Sequence, residues 1–337
     1  MTGSLTPWPR GSWRKHLAAS ISNVDELLAE VGLSRDVVGL GSGAGNAARL
    51  FELRVPRAFV RRMGYGDPAD PLLLQVLPSV EEDRQAPGFV PDPVGESEFV
   101  SGGGVLHKYR GRALIVITGI CAVHCRYCFR RHFAYGENSV QGAGAALEKV
   151  AQDPSISEVI LSGGDPLSLS DESLDELFRG FENISHVRRL RVHTRMPVVL
   201  PERVDSGLLD ILGRRRLPVV VVLQTNHAQE LDRDVRTACQ ALREAGVTLL
   251  NQAVLLAGIN DTVENQVDLS EGLFDAGVLP YYLHLMDRVA GAAHFEVAED
   301  GARSLMAEVS ARLPGYLVPR LVRDEVGAAS KVILSPS

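Results

Sequence analysis

The sequence predicts an α/β protein: an open (β/α)6 partial barrel carrying an N-terminal helical cap. Three observations lead there. Apolar, strand-like runs begin near Ala113, Glu158, Val187, Pro218, Val247 and Leu279, and from Glu158 onward they recur at intervals of 29, 31, 29 and 32 residues, the length of a βα unit. The stretches between them have helical spacing, and six such units are fewer than the eight that close a TIM barrel, so the ring should stay open. A cysteine-rich loop directly follows the first strand, at the carboxyl end where parallel α/β sheets gather their chemistry.

Residues 1–105 differ in texture and are read as the cap. Asn23 precedes Val24-Asp25-Glu26-Leu27-Leu28, a cap followed by Glu at the third helical position, so a helix starts there. Residues 64–78 read as a proline-punctuated loop whose apolar patch must pack on something, and Ser101-Gly102-Gly103-Gly104 reads as a linker. The core is assigned to 106–315. Within it Ser170 caps a helix in which Ser173, Leu174, Leu177 and Phe178 share a face, and further helices are expected over 233–245, closed by Gly246, and over 264–276. Residues 316–337 form a C-terminal segment containing Lys331.

The chain has 337 residues, enough for a barrel-sized core and an appendage, and its formal net charge of -7 argues against nucleic-acid or membrane surfaces as partners. Met1 to Arg10 lack the blocks of a signal peptide and no apolar run reaches membrane-spanning length, so a cytoplasmic location is expected. Three of the four cysteines are clustered, which suits thiols serving as ligands in a reducing compartment, while Cys239 in an Ala/Leu-rich helix reads as a core residue. Only Lys15, Lys108, Lys149 and Lys331 are lysine among 35 basic residues. In so arginine-biased a chain a lysine invites inspection, because arginine cannot form a Schiff base.

Cys121, Cys125 and Cys128 stand in a CxxxCxxC spacing. Three thiolates leave one position of a tetrahedral metal site or a four-iron cluster open. A zinc site completed by His124 or Cys239, or simple buried thiols, would also fit the triplet. After the second strand come Ser162, Gly163, Gly164, Asp165, Pro166 and Leu167: a tight turn, or glycines that admit a ligand close to the backbone beside a carboxylate for an ammonium group. Gln224, and Asn251 with Gln252, put amides at the same barrel end. Arg130 and Arg131 follow the cysteine loop, as a solvated patch or as a fork for a substrate carboxylate, the role given to Arg130.

The cysteine segment resembles the signature of the radical S-adenosylmethionine (SAM) superfamily, which implies a 4Fe-4S cluster on Cys121, Cys125 and Cys128 whose fourth iron binds SAM, and an open (β/α)6 barrel of that type. By that resemblance Ser162, Gly163, Gly164 and Asp165 correspond to the element that holds the methionine amino group, with Gln224 and Gln252 as further SAM contacts. More specifically, 107–114, the cysteine segment through Phe133, 162–167, 193–199, 225–227, 251–256, 280–284, 291–295 and 315–319 resemble the lysine 2,3-aminomutase family, above all its short bacterial form that makes β-lysine for modification of elongation factor P. The resemblance implies that Lys331 carries pyridoxal 5'-phosphate (PLP), that Arg112 contacts its phosphate, and that Asp287 and Asp324 bind the distal ammonium of substrate lysine. Taken alone, Lys331 would be a frayed terminal charge, Asp287 a helix cap and Asp324 an exposed charge.

The function so implied is isomerisation of L-α-lysine to β-lysine by radical 1,2-amino migration. The partners would be lysine, an electron donor such as flavodoxin, and a functional link to elongation factor P and its β-lysine ligase. Two rivals remain at this point: an aminomutase for another amino acid, and a zinc-stapled binding protein without catalysis. The chain departs from longer family members in having Gly327-Ala328-Ala329-Ser330 before Lys331 where those carry a glycine-rich run.

Overall fold

The computed structural model describes residues 7–41, 51–99, 104–135 and 143–336. Nine strands form one sheet in chain order: β1 (Val105–Tyr109), β2 (Arg112–Thr118), β3 (Glu158–Gly163), β4 (Arg189–Thr194), β5 (Val219–Leu223), β6 (Thr248–Leu255), β7 (Leu279–Leu285), β8 (Arg320–Arg323) and β9 (Val332–Ile333). From β2 to β8 neighbours are parallel, and β1 and β9 add antiparallel edges. The sheet order does not return from β9 to β1, so the barrel is open. The six expected strands are β2 to β7. The segment expected at 316–337 extends the same sheet over its described residues through β8 and β9, which carries Lys331 to the barrel interior.

The outward side chains of the central strands are apolar because helices cover that face, whereas Ser162, Arg191 and His193 line the interior cavity. Ile115, Leu161, Leu190, Val192, Val221 and Leu223 are buried at or near zero exposure. Those helices form where expected. Ser170 Oγ accepts from Ser173 N at 3.1 Å at the start of Asp171–Glu182, and Arg233–Glu244 ends before Gly246, which takes φ of +85°. Cys239 is fully buried on that helix.

Before the sheet lie short helices, including Trp13–Ala18, Val24–Glu30, Arg57–Val60 and Pro71–Leu74. Asn23 Oδ1 accepts from Asp25 N and Glu26 N, a cap of about 1 kcal/mol. Residues 64–78 are more ordered than a loop: Asp70 caps Pro71–Leu74, and Leu72, Leu73 and Val76 are fully buried. The expected linker residues 101–103 lie outside the described residues. Preceding it, Val90 is clipped to 288–290 by Val90 N to Arg288 O (2.9 Å) and Ala290 N to Val90 O (3.0 Å), so that Val94, Glu96 and Phe99 line the barrel mouth. Among the described residues no helix is long and apolar enough to cross a membrane.

Candidate active site

A cavity of about 400 Å³ runs through the barrel interior, and every site residue expected from sequence lines it: Cys121, Cys125, Cys128, Ser162, Gly163, Gly164, Asp165, Gln224, Gln252, Arg112, Arg130, Asp287, Asp324 and Lys331. One end is the cysteine loop beyond β2. The other is the group of charges that β7, β8 and the turn before β9 bring together.

The N-terminal cap holds the cysteine loop by buried ion pairs. Arg126, fully buried, gives Nε to Glu82 Oε1 (2.8 Å) and NH2 to Glu82 Oε2 (2.5 Å), and Arg131 NH2 reaches the same Oε2 (2.5 Å). His124 is engaged by the cap: Nδ1 lies 2.7 Å from Glu52 O and its ring stacks on Phe51 at 5.1 Å. With Cys239 on an outer helix, neither group proposed to complete a zinc site joins the three thiols. Among the described residues no trio of His, Cys, Asp or Glu is spaced for a single metal ion. Burial pushes the Cys121 thiol well up and Cys128 up to about 11, and each is pushed further by the neighbouring cysteines. Thiols raised as Cys121 and Cys128 are become thiolates side by side only against a polycation, which suits the donor chemistry of an iron–sulfur cluster with an open iron.

The two glycines of the β3 turn serve the cysteine loop itself. Gly163 takes φ of +116°, and a Cβ there would sit 2.6 Å from Thr118 O; at Gly164 it would sit 2.5 Å from Ile120 O. Gly164 N and Asp165 N donate to those carbonyls at 2.7 and 2.8 Å. Asp165, expected to receive an ammonium group, lines the cavity with a carboxylate that is hydrogen-bonded within the protein. Its carboxylate accepts from Thr194 Oγ1 (2.6 Å), Arg195 N (2.7 Å), Leu167 N (3.0 Å) and Met196 N (3.1 Å), so it is a buried strut between β3 and β4. Asn251 is likewise spent on the backbone of Thr225, whereas the amides of Gln224 and Gln252 line the cavity and have no protein partner among the described residues.

Arg130 is buried and its fork is filled. Nε and NH2 grip Glu96 Oε2 and Oε1 at 2.7 and 2.6 Å, and NH1 reaches Ser162 Oγ (3.0 Å) and Gly163 O (3.2 Å). The carboxylate on Arg130 is therefore the protein's own, that of Glu96. At the other end Lys331 Nζ is ion-paired to Asp324 Oδ2, and Asp324 Oδ1 accepts from Tyr109 OH (2.7 Å). Lys108 Nζ stands 4.0 Å and His284 Nδ1 3.8 Å from the same carboxylate. Although burial raises Asp324, its partners, led by Lys331, hold it at about 2. Asp287 is pushed up to about 7 by burial and by Asp324, and His284 down to about 3 by burial and by Lys331. His193 Nε2, His284 Nε2 and Arg112 Nε are buried without a protein partner among the described residues, so polar positions for a bound molecule line the wall.

Glu96, Lys108, Tyr109, His193, His284 and Arg195 escaped the sequence-based assignment. Scarcity of lysine did single out Lys108, and His193 and Arg195 stand in a motif already quoted; Glu96 had no signal.

Residues 101–190 match a family model described as a 4Fe-4S single cluster domain. The chain is 48% identical over 328 residues to the L-lysine 2,3-aminomutase of Escherichia coli K12, covering 96% of this chain and 95% of that protein. It is 43% identical over 324 residues to the L-lysine 2,3-aminomutase of Haemophilus influenzae, with the same two coverages. Among solved structures, a radical SAM methyltransferase from Sphaerobacter thermophilus aligns with a TM-score of 0.46 at 19% identity, covering 65% of this chain and 68% of that one.

Proposed function

Since this chain belongs to the L-lysine 2,3-aminomutase family, we propose that it interconverts L-α-lysine and β-lysine using a 4Fe-4S cluster, SAM and PLP. The observation that carries the proposal is the single cavity with three thiols at one end and Asp287, Asp324 and Lys331 at the other. When bound, the cluster with SAM supplies hydrogen-atom abstraction and PLP supplies the π system over which nitrogen shifts.

The chain's own residues hold and orient. Cys121, Cys125 and Cys128 would ligate three irons. Gln224 and Gln252, with the Ser162 to Gly164 turn, offer hydrogen-bonding groups to SAM. Lys331 is the amine that would anchor PLP, and Arg112, with its unpartnered Nε, would take the phosphate. In the present form Lys331 Nζ sits on Asp324 as a substrate ammonium would, so it stands in for that ammonium. Once Lys331 is engaged elsewhere, Asp324 and Asp287 are left to a cation of the substrate. With Lys331 withdrawn, Lys108 is left facing two buried carboxylates, an excess of negative charge that favours a cationic side chain over an uncharged one and disfavours an acidic one further. Arg130 grips Glu96 in the bidentate geometry a substrate carboxylate would need, and exchange of one for the other would fix the α-carbon end.

The finer assignment, supply of β-lysine for elongation factor P in the cytoplasm, rests on the resemblance to the short bacterial form. Amino-acid analysis after anaerobic incubation of the reconstituted protein with SAM, PLP, dithionite and a panel of lysine, arginine and glutamate tests the substrate. β-Lysine alone should form; conversion of another amino acid with lysine untouched would replace the reading.

A further inference from the structure

Arg195, at the end of β4, is 5% exposed and donates through NH1 to Cys125 Sγ at 2.8 Å. The same NH1 meets Tyr127 OH at 2.8 Å, and NH2 binds Gln75 Oε1 (2.6 Å) and Glu230 Oε2 (2.9 Å). Asn226 Nδ2 bonds both Tyr127 OH (2.6 Å) and Gln75 Oε1 (2.9 Å), and Glu230 Oε1 accepts from Asn226 N (2.9 Å). Glu230 is fully buried. The guanidinium is thus locked by a polar network drawn from the cap, β4 and the loop after β5, with one face on a thiol of the cysteine trio.

We propose that Arg195 is a positioning residue that sets the reduction potential of the iron–sulfur group through Cys125, with Glu230 as its counterweight. The inference rests on the reading of the three thiols as cluster ligands. Reduction adds one electron, delivered by a low-potential one-electron donor, and makes or breaks no bond at Arg195. A buried cation donating to a ligating sulfur stabilises the added negative charge, and hydrogen bonds to sulfur are among the determinants of such potentials. Glu230, on the far side of the guanidinium, offsets part of that field. Removing the two charges therefore has opposite consequences.

The test is EPR-monitored redox titration of the reconstituted protein, with iron and sulfide measured on the same samples. R195Q/E230Q removes cation and anion together and leaves no lone buried charge, so assembly should persist. At a fixed potential its ratio of reduced to oxidised cluster should fall about tenfold, equivalent to about 59 mV for one electron. E230Q alone keeps the hydrogen bond to Asn226 N and should move the ratio the other way. Unchanged midpoints in both variants, or shifts of the same sign, overturn the proposal, because a purely structural network gives no sign reversal. Should the double variant assemble no cluster, E230Q decides alone: a fall or no change overturns the inference. A wild-type protein that binds no iron and sulfide would instead contradict the functional reading beneath it.

Discussion

At the cysteine end of the cavity the buried cations have dedicated anions, Glu82 for Arg126 and Arg131, and Glu230 for Arg195. At the lysine end one carboxylate, Asp324, is shared by Lys331, Tyr109, His284 and Lys108, while Asp287 is pushed up to about 7. In the first arrangement each buried cation is paired within the protein, which serves to hold a loop in one shape. The second leaves charge to be completed by what binds. Arg130 lies between the two kinds, saturated by Glu96, a residue on the four-residue helix Glu96–Phe99 at the cavity mouth. On the proposed reading, rigidity is concentrated where a metal group needs fixed donors, and electrostatic demand where a substrate must be chosen.

Substitutions at the two ends should break this contrast differently, and the largest effects come from its defining groups. C128A should leave a protein without cluster iron and without aminomutase activity, whereas K331A should keep the iron–sulfur absorbance and lose PLP absorbance together with β-lysine formation. A K331A protein that still makes β-lysine would remove Lys331 from its assigned role. Next in size, E82A strands Arg126 and Arg131 in the interior and should cost about 3–5 kcal/mol in denaturant unfolding, because it breaks buried pairs by deleting one partner.

At the lysine end D287N should fold normally, with loss confined to substrate. Its kcat/KM for lysine should fall by about 2–3 kcal/mol in transition-state terms, as expected when a buried charge partner is removed. The pH dependence sharpens the point. Asp287 must be ionised to hold an ammonium, and with its carboxyl raised to about 7 in the free protein, kcat/KM should decline as pH falls through 7. That limb should disappear in D287N, while a limb that persists there belongs to another group. The smallest effect is expected from E96Q, which weakens the internal competitor for Arg130. KM for lysine should drop by about 1 kcal/mol of binding or less, since one carboxylate partner merely replaces another; a rise in KM would make Glu96 part of the substrate site.

The βα rhythm from Ala113 to Leu279 was legible because the strands are largely apolar runs and their helices carry a period and caps. β8 and β9 were not: four and two residues are too short to show a pattern, and they are strands only because the sheet edge beside β7 is open. The cysteines, the double glycine and Lys331 announce themselves by residue type. The internal partners of Asp165 were not legible, because its four hydrogen bonds come from the turn after it and from the end of β4 and the turn that follows. Glu96 and Glu230 are invisible for the same reason, each finding its arginine tens of residues away through the tertiary fold.

The claim that both ends serve one reaction is tested most directly by isotope transfer. Reconstituted protein is incubated anaerobically with SAM, PLP, dithionite and lysine deuterated at the β-carbon, and SAM is recovered. The account predicts deuterium in the deoxyadenosyl methylene of SAM alongside β-lysine; SAM that is cleaved or recovered without label while β-lysine forms would contradict it.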